Sequence, residues 1–320
     1  MHHYGGVTGE GGVRIRKPGK VRDNLWYLGC EESGVYLLEG SESSMIISGG
    51  ISYLVPRILS QFEEFAIDER PIDKLLILHA HFDHIGIVPF FRRRYPDLTV
   101  YASHRAWELL RRQSVIDTVN RSSRLTALRM GYEDVCASYD LDWRDDVTGE
   151  VVAEGDTIDL GGQRLSILET PGHSSCSISA YIPETRVLFA SDAGGIPYKE
   201  TMLITSGNSN YTLFQESLEK LGSLDVDYLC ADHYGYVTGE EAHTFIADAI
   251  TEAGRFRTLM ESVYRRTGDV DRAARRMVAV TLASDPDYFL PPGVLEGVYR
   301  QIMKHLAQEM EGNTRQQTRE

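Results

Sequence analysis

His79-Ala80-His81-Phe82-Asp83-His84 packs four metal-ligand side chains into six consecutive residues, directly after the apolar run Leu75-Leu76-Ile77-Leu78. That run reads as a buried strand. Alternate side chains on a strand share a face, so His79 and His81 point together, and a turn at Phe82 brings Asp83 and His84 to the same cavity from another side. Such a stretch can serve two cations as readily as one. Gly86 and Ile87-Val88-Pro89-Phe90-Phe91, which follow, suit a helix that begins beneath the loop.

The flanks on both sides are β-rich. Upstream, residues 24–28, 35–38 and 45–47 are short apolar runs separated by Gly, Glu and Ser turns, the pattern of an antiparallel meander, and residues 51–65 carry apolar residues at helical spacing. Downstream, a strand at 98–101 precedes one or two helices over about 104–136. The chain then returns to β at 151–153, 157–160, 165–169, 177–181 and 187–190. Two β-rich halves, each followed by helix, predict an α/β (α+β) fold in which two sheets pack face to face with helices outside. Beyond Gly239 the β pattern stops, and residues 240–266, 270–283 and 294–310 read as helices. The expected organisation is a flexible tail over 1–12, a catalytic domain over 13–239 and a helical extension over 240–320. That extension folds back as a lid or offers a partner surface, including a homodimer interface, and its last ten residues, polar in character, fray.

The second β half supplies further ligands. Thr170-Pro171-Gly172-His173, Ser191-Asp192-Ala193-Gly194 and Ala231-Asp232-His233-Tyr234-Gly235 each follow an apolar strand run, and loops at strand ends are where sites are built. The candidates are then His79, His81, Asp83, His84, His173, Asp192 and His233. The economical arrangement puts His79, His81 and His173 on one ion and Asp83, His84 and His233 on a second, with Asp192 bridging. Asp83 and Asp192 are the carboxylates expected to take part in catalysis. Two ions held this way sit about 3.5–4 Å apart and lower the pKa of bound water to about 7, so a metal-bridging hydroxide can attack an ester-type carbonyl. A thiolate leaving group, with a pKa of about 8.5, departs without a proton donor, whereas an amine needs one. Tyr198, Tyr234 and Tyr236 are the substrate-binding candidates, as pocket walls or as proton donors. Imidazole and carboxylate ligands without thiolate accept Fe, Zn or Mn.

With 320 residues the chain can bury a large core, and a hydrophobic content of 42% with 25% charged residues is ordinary for a globular protein. A net charge of −14 argues against nucleic acid and anionic membranes as partners. The N-terminus lacks an apolar signal core and no run approaches the length of a spanning helix, which leads to an expectation of cytoplasmic location. Cys30, Cys136, Cys176 and Cys230 have no paired short spacing, and are expected as free, packed thiols. Arginines are frequent between Arg92 and Arg129, either as a solvated helix face or as an entrance that attracts a phosphate-bearing substrate.

His79-x-His81-x-Asp83-His84 with His173, Asp192 and His233, in this order, resembles the metallo-β-lactamase superfamily over about residues 20–240. The resemblance implies an αββα sandwich, a dinuclear site along one edge and hydrolysis as the common activity. Gly49-Gly50-Ile51-Ser52, the run from His79 to Pro89, Ser103 with the helix after it, and Asp287-Tyr288-Phe289-Leu290-Pro291 look like the PqsE-type thioesterase of alkylquinolone signal biosynthesis. This second resemblance implies cleavage of an acyl-coenzyme A thioester, an iron or manganese centre and C-terminal helices that shape the pocket. Two positions depart: Ser48-Gly49 stands where many superfamily members carry Asp-Thr-Gly, and Ile196 stands where the signal thioesterase has an acidic residue. The expected function is a dinuclear-metal hydrolase of a small-molecule thioester. The alternatives are a lactonase or phosphodiesterase on the same fold, and a regulator-binding protein with a mainly structural metal site. Flavodiiron proteins, which usually carry Glu where His81 stands, fit less well.

Overall fold

A computed structural model describes residues 13–317, with side chains through residue 312. The tail expected at residues 1–12 lies outside the described residues. The first sheet runs in the order Gly19–Arg22, Leu25–Gly29, Gly34–Glu39, Ser44–Ile47, Ile72–Leu76, Thr99–Ser103, Glu150–Val152. Its first four strands are the antiparallel meander, and the last three pair in parallel. The second sheet runs Val13–Ile15, Tyr236–Thr238, Tyr228–Cys230, Val187–Phe189, Ile178–Ile182, Arg164–Glu169, Thr157–Asp159. It is antiparallel except where Val187–Phe189 meets Tyr228–Cys230.

Alternation along the strands builds the layers. Leu37, Ile46 and Leu75 face outward onto the helices Val55–Glu64, Val88–Arg94 and Gln113–Arg129, while their neighbours Leu38, Ile47 and Leu76 face the other sheet. In the second sheet Phe189 and Cys230 point inward, and Leu188 and Leu229 point out toward Phe245 and Ile246 of the Glu240–Thr267 helix. Both faces of each sheet are thus apolar, which explains the near-continuous hydrophobic runs of the central strands. Each such side chain contributes roughly 1.5–3 kcal/mol on burial.

Several expectations shift. The stretch 104–136 forms three helices, His104–Leu110, Gln113–Arg129 and Glu133–Ser138, because Arg111-Arg112 and Gly131-Tyr132 interrupt it. Residues 150–152 join the first sheet rather than the second half's. Val13–Ile15 and Tyr236–Thr238, too short to register as periodic, pair with each other at the edge of the second sheet. The helix Tyr211–Leu221 adds to the elements expected; Asn210 caps it by accepting from the Leu213 N–H at 2.9 Å. The helices Glu240–Thr267, Val270–Ser284 and Pro292–Gln317 follow, the last continuing through residues expected to fray. Their apolar faces meet each other and Tyr211–Leu221 around Phe214, Met260, Met277 and Met303. No helix of the described residues is long and apolar enough to cross a membrane. The four cysteines are free, with Cys176 and Cys230 buried.

Candidate metal centre

The site forms at one edge of the sandwich, where five strand ends converge. There Ile178 N–H donates to the Leu78 carbonyl at 2.9 Å and Gly34 N–H to the Asp232 carbonyl at 2.7 Å, joining the two sheets. Ser103 works at the same seam: its hydroxyl caps the following helix by accepting from Ala106 N–H and donates to the Cys176 carbonyl at 2.8 Å. The ligand loops leave the strands through backbone that side chains rarely adopt, with φ of 69° at Ser48, 48° at Ser191 and 61° at Tyr234. Left-handed non-glycine residues persist only where surroundings hold them. Gly172, immediately before His173, has φ 130°, and a Cβ there would lie 2.2 Å from the Phe214 backbone nitrogen. Its carbonyl accepts from Ser209 and Asn210 N–H, so the His173 loop is seated on the start of the Tyr211–Leu221 helix.

All seven side chains singled out from the sequence come together here. His79 Nε2 lies 3.2 Å and His173 Nε2 3.0 Å from His81 Nδ1. His84 Nε2 and His233 Nε2 are 3.1 Å apart, and Asp83 Oδ2 lies 3.7 and 3.8 Å from them. Asp192 sits between the two groups, with Oδ2 3.2 Å from His173 and 3.5 Å from His84, and Oδ1 3.7 Å from His233. Ligand nitrogens about 2.0–2.1 Å from a tetrahedral ion lie roughly 3.3 Å from one another. The inward ring nitrogens are therefore spaced as ligands of a common cation would be.

The outward nitrogens are anchored. His173 Nδ1 meets the Ser206 carbonyl at 2.8 Å, His233 Nδ1 the Glu32 carbonyl at 2.6 Å and His84 Nδ1 the Asp232 carboxylate at 2.8 Å. Such partners fix ring orientation and direct the free lone pair inward. Asp232 is the anchoring residue that the ligand pattern in the sequence does not single out. Buried, it also accepts from Ser48 Oγ at 2.8 Å and Ser191 Oγ at 2.5 Å. The available signal was Ala231-Asp232-His233 itself, an acidic residue directly before a candidate ligand at the end of an apolar strand run.

Burial and the carboxylates set the charge state of the cluster. Burial pushes the His79, His81 and His173 imidazoles below their ordinary value, which leaves them neutral, the form that ligates a metal. Burial would also push His84 down, but the Asp192 and Asp83 carboxylates outweigh it and hold His84 up. Asp192 is held well below the carboxylate range, since His84, His233 and His173 outweigh the effect of its burial. Its Oδ1 is nonetheless buried without a hydrogen-bond partner, an orphan that a cation would satisfy. The donor set fits divalent cations.

A cavity of about 980 Å³ opens onto this cluster, walled by Phe82, Val115 and Val119 on one side and by Phe289, Leu290 and Val294 on the other. The tyrosines are placed differently from expectation, and none of the three lines this cavity. Tyr236 faces the inter-sheet core, 6.1 Å from the Tyr27 ring, because period-two alternation on its strand turns it inward. Tyr198 and Tyr234 pack on each other and behind Phe289, with ring centroids 5.7 and 6.2 Å from it. Burial pushes all three phenols up, away from use as proton donors. A separate polar cleft of about 680 Å³ beside Arg22, Thr185 and Asp227 contains none of the ligand residues.

Comparison with known proteins agrees with this geometry. The chain is 25% identical over 243 residues to the human acyl-coenzyme A thioesterase MBLAC2, covering 72% of this chain and 82% of that protein. It is 28% identical over 165 residues to the coenzyme F420H(2) oxidase of Methanocaldococcus jannaschii, covering 50% of this chain and spanning only 33% of that protein. In fold it is similar to a beta-lactamase domain protein from Burkholderia ambifaria, with a TM-score of 0.66 at 14% identity, covering 92% of this chain and 88% of that one. The family model of the metallo-beta-lactamase superfamily matches residues 28–233, more than half the chain, and this protein belongs to that superfamily.

Proposed function

We propose that the protein is a dinuclear-metal hydrolase that cleaves acyl thioesters of the coenzyme A type. The observation that carries the reading is the split of seven ligand side chains into His79, His81, His173 and Asp83, His84, His233, with Asp192 within 3.2–3.7 Å of both groups. Two divalent cations held there supply Lewis acidity that lowers the pKa of water to about 7 and stabilises developing negative charge. The chain's own part is positional: Ser206, Glu32 and Asp232 fix the rings, and Asp192 adds a carboxylate shared by both groups.

The leaving group follows from the walls. Among the described residues lining the cavity outside the cluster there is no lysine, tyrosine or glutamate to protonate an amine. A thiolate leaves without that help. Exposed Arg111 and Arg112 fall between the lining residues Leu109 and Ser114, where they offer positive charge to a phosphate-bearing leaving group on an otherwise acidic protein. The similarity to the human acyl-coenzyme A thioesterase supports the same class.

Elemental analysis of purified protein, followed by thiol release from acetyl- and octanoyl-coenzyme A with iron, zinc or manganese restored, tests the proposal. Two metal equivalents and chelator-sensitive thiol release are expected. Asp192→Ala should lower the rate by about a hundredfold or more, since even partners one shell further out are worth about 10–100-fold. Metal-replete protein that releases no thiol, while cleaving a lactone or phosphodiester from the same panel, would reject the thioester assignment.

A further inference from the structure

A second space of about 220 Å³ lies beside the metal-side cavity, formed where the three C-terminal helices meet. Phe256, Leu259, Val280 and Ile302 line it, one or two from each helix, with Glu252, Arg255 and Asp285 also on its wall, and no ligand residue does. Ile196, Phe289, Leu290 and Val298 face both spaces, so the chamber adjoins the cavity rather than standing apart from it. Phe289 belongs to an irregular segment between the last two helices and is 39% exposed, a large aromatic left uncovered at the boundary. Protein interiors have few voids larger than a water molecule. An apolar cavity of about 150 Å³ admits benzene, so this chamber takes a single ring or an alkyl chain of similar bulk.

We infer that the chamber receives the apolar acyl portion of the substrate, octanoyl- or benzoyl-like in size, and that Phe289 is the side chain the acyl group passes. The inference rests on the thioester reading above. With the scissile carbonyl at the ligand cluster and the coenzyme arm toward Arg111 and Arg112, the acyl arm has the opposite wall left to it, and that wall is Ile196, Phe289 and Leu290. Buried Ile196 offers methyl groups to the acyl arm where an acidic residue would select a cationic or hydrogen-bonding group. The chamber therefore sorts acyl groups by apolar bulk.

Two thioethers that cannot be hydrolysed, S-octyl- and S-methyl-coenzyme A, titrated calorimetrically into the full-length metal-loaded protein, test this without turnover. The octyl compound should bind about tenfold more tightly or better. Val280→Trp, which fills the chamber, should reduce that preference to about threefold or less, whereas Val280→Leu should keep it. Equal binding of both thioethers, absence of binding by either, or an octyl preference that survives Val280→Trp undiminished overturns the inference. Thiol release from octanoyl-coenzyme A, measured in parallel, separates the two proposals. An octyl preference without hydrolysis removes the thioesterase reading and leaves the chamber as an apolar binding site; hydrolysis without an octyl preference removes the chamber alone.

Discussion

Asp232 Oδ2 lies 2.8 Å from His84 Nδ1, and the same oxygen accepts from Ser48 and Ser191, so one buried carboxylate orients a ligand ring and ties together the ends of three strands. Ser48 and Ser191 both hold left-handed backbone to make these bonds. The carboxylate thus links backbone strain at the strand ends to the aim of His84.

Asp232→Asn keeps the shape but weakens the acceptor. Its affinity for the second of the two cations proposed above, at Asp83, His84 and His233, should fall by about 10–100-fold, the usual effect of losing a carboxylate behind a ligating histidine. Competition with a metallochromic chelator measures this. One tight equivalent, that of His79, His81 and His173, should remain, and loss of both equivalents together would show that the carboxylate supports the whole cluster rather than one half.

Gly172→Ala inserts a Cβ 2.2 Å from the Phe214 nitrogen at a φ of 130°. Left-handed strain alone is worth about 1–3 kcal/mol, and the contact with backbone adds to it. The variant should melt at a clearly lower temperature and bind less metal, because His173 rides on the same turn. A variant with wild-type melting and metal content would mean that the Tyr211–Leu221 helix can shift freely.

Arg111 and Arg112 are exposed and lie in the chain between the cavity-lining residues Leu109 and Ser114. The double change to alanine should raise KM for an acyl-coenzyme A by about threefold to tenfold at low ionic strength, and the difference should shrink as salt screens it. Turnover of the matching N-acetylcysteamine thioester, which lacks the phosphates, should not change. An equal effect on both substrates would point to a packing role instead.

Asp285 and Lys199 hold the base of the segment that carries Phe289, with Lys199 Nζ 2.5 Å from Asp285 Oδ1. The hydrogen bond from Lys199 lowers the Asp285 carboxyl, and the same bond raises the lysine. A carboxylate held low contributes its stability above its ordinary pKa of about 3.9 and loses it as pH falls through the lowered value. A lysine held high contributes below about 10.4 and loses it as pH rises through the raised value. The gap in melting temperature between wild type and Asp285→Asn should therefore be widest between about pH 5 and 9 and close on the acid side below about pH 4. A gap that persists through the acid range would assign the effect to something other than this pair.

Local signals in the chain were sufficient to mark the seven side chains that converge at the sheet edge. His79, His81, Asp83 and His84 lie so close together that any fold with a strand before them brings them to one place, and His173, Asp192 and His233 each follow an apolar strand run that must end at a sheet edge. Period-two alternation in Leu37-Leu38, Ile46-Ile47 and Leu75-Leu76, buried on both sides, likewise carries the layered architecture in the sequence itself. What tertiary structure alone decided are matters of long-range pairing. Val13–Ile15 reaches across to Tyr236–Thr238, Asp232 meets His84 across 148 positions, and Tyr236 turns into the core while Phe289, from a distant loop, takes the cavity wall. Periodicity reports which face of an element is buried but not against which partner. That choice is made by packing between elements remote in the chain, and the chamber among the last three helices exists only once that packing is complete.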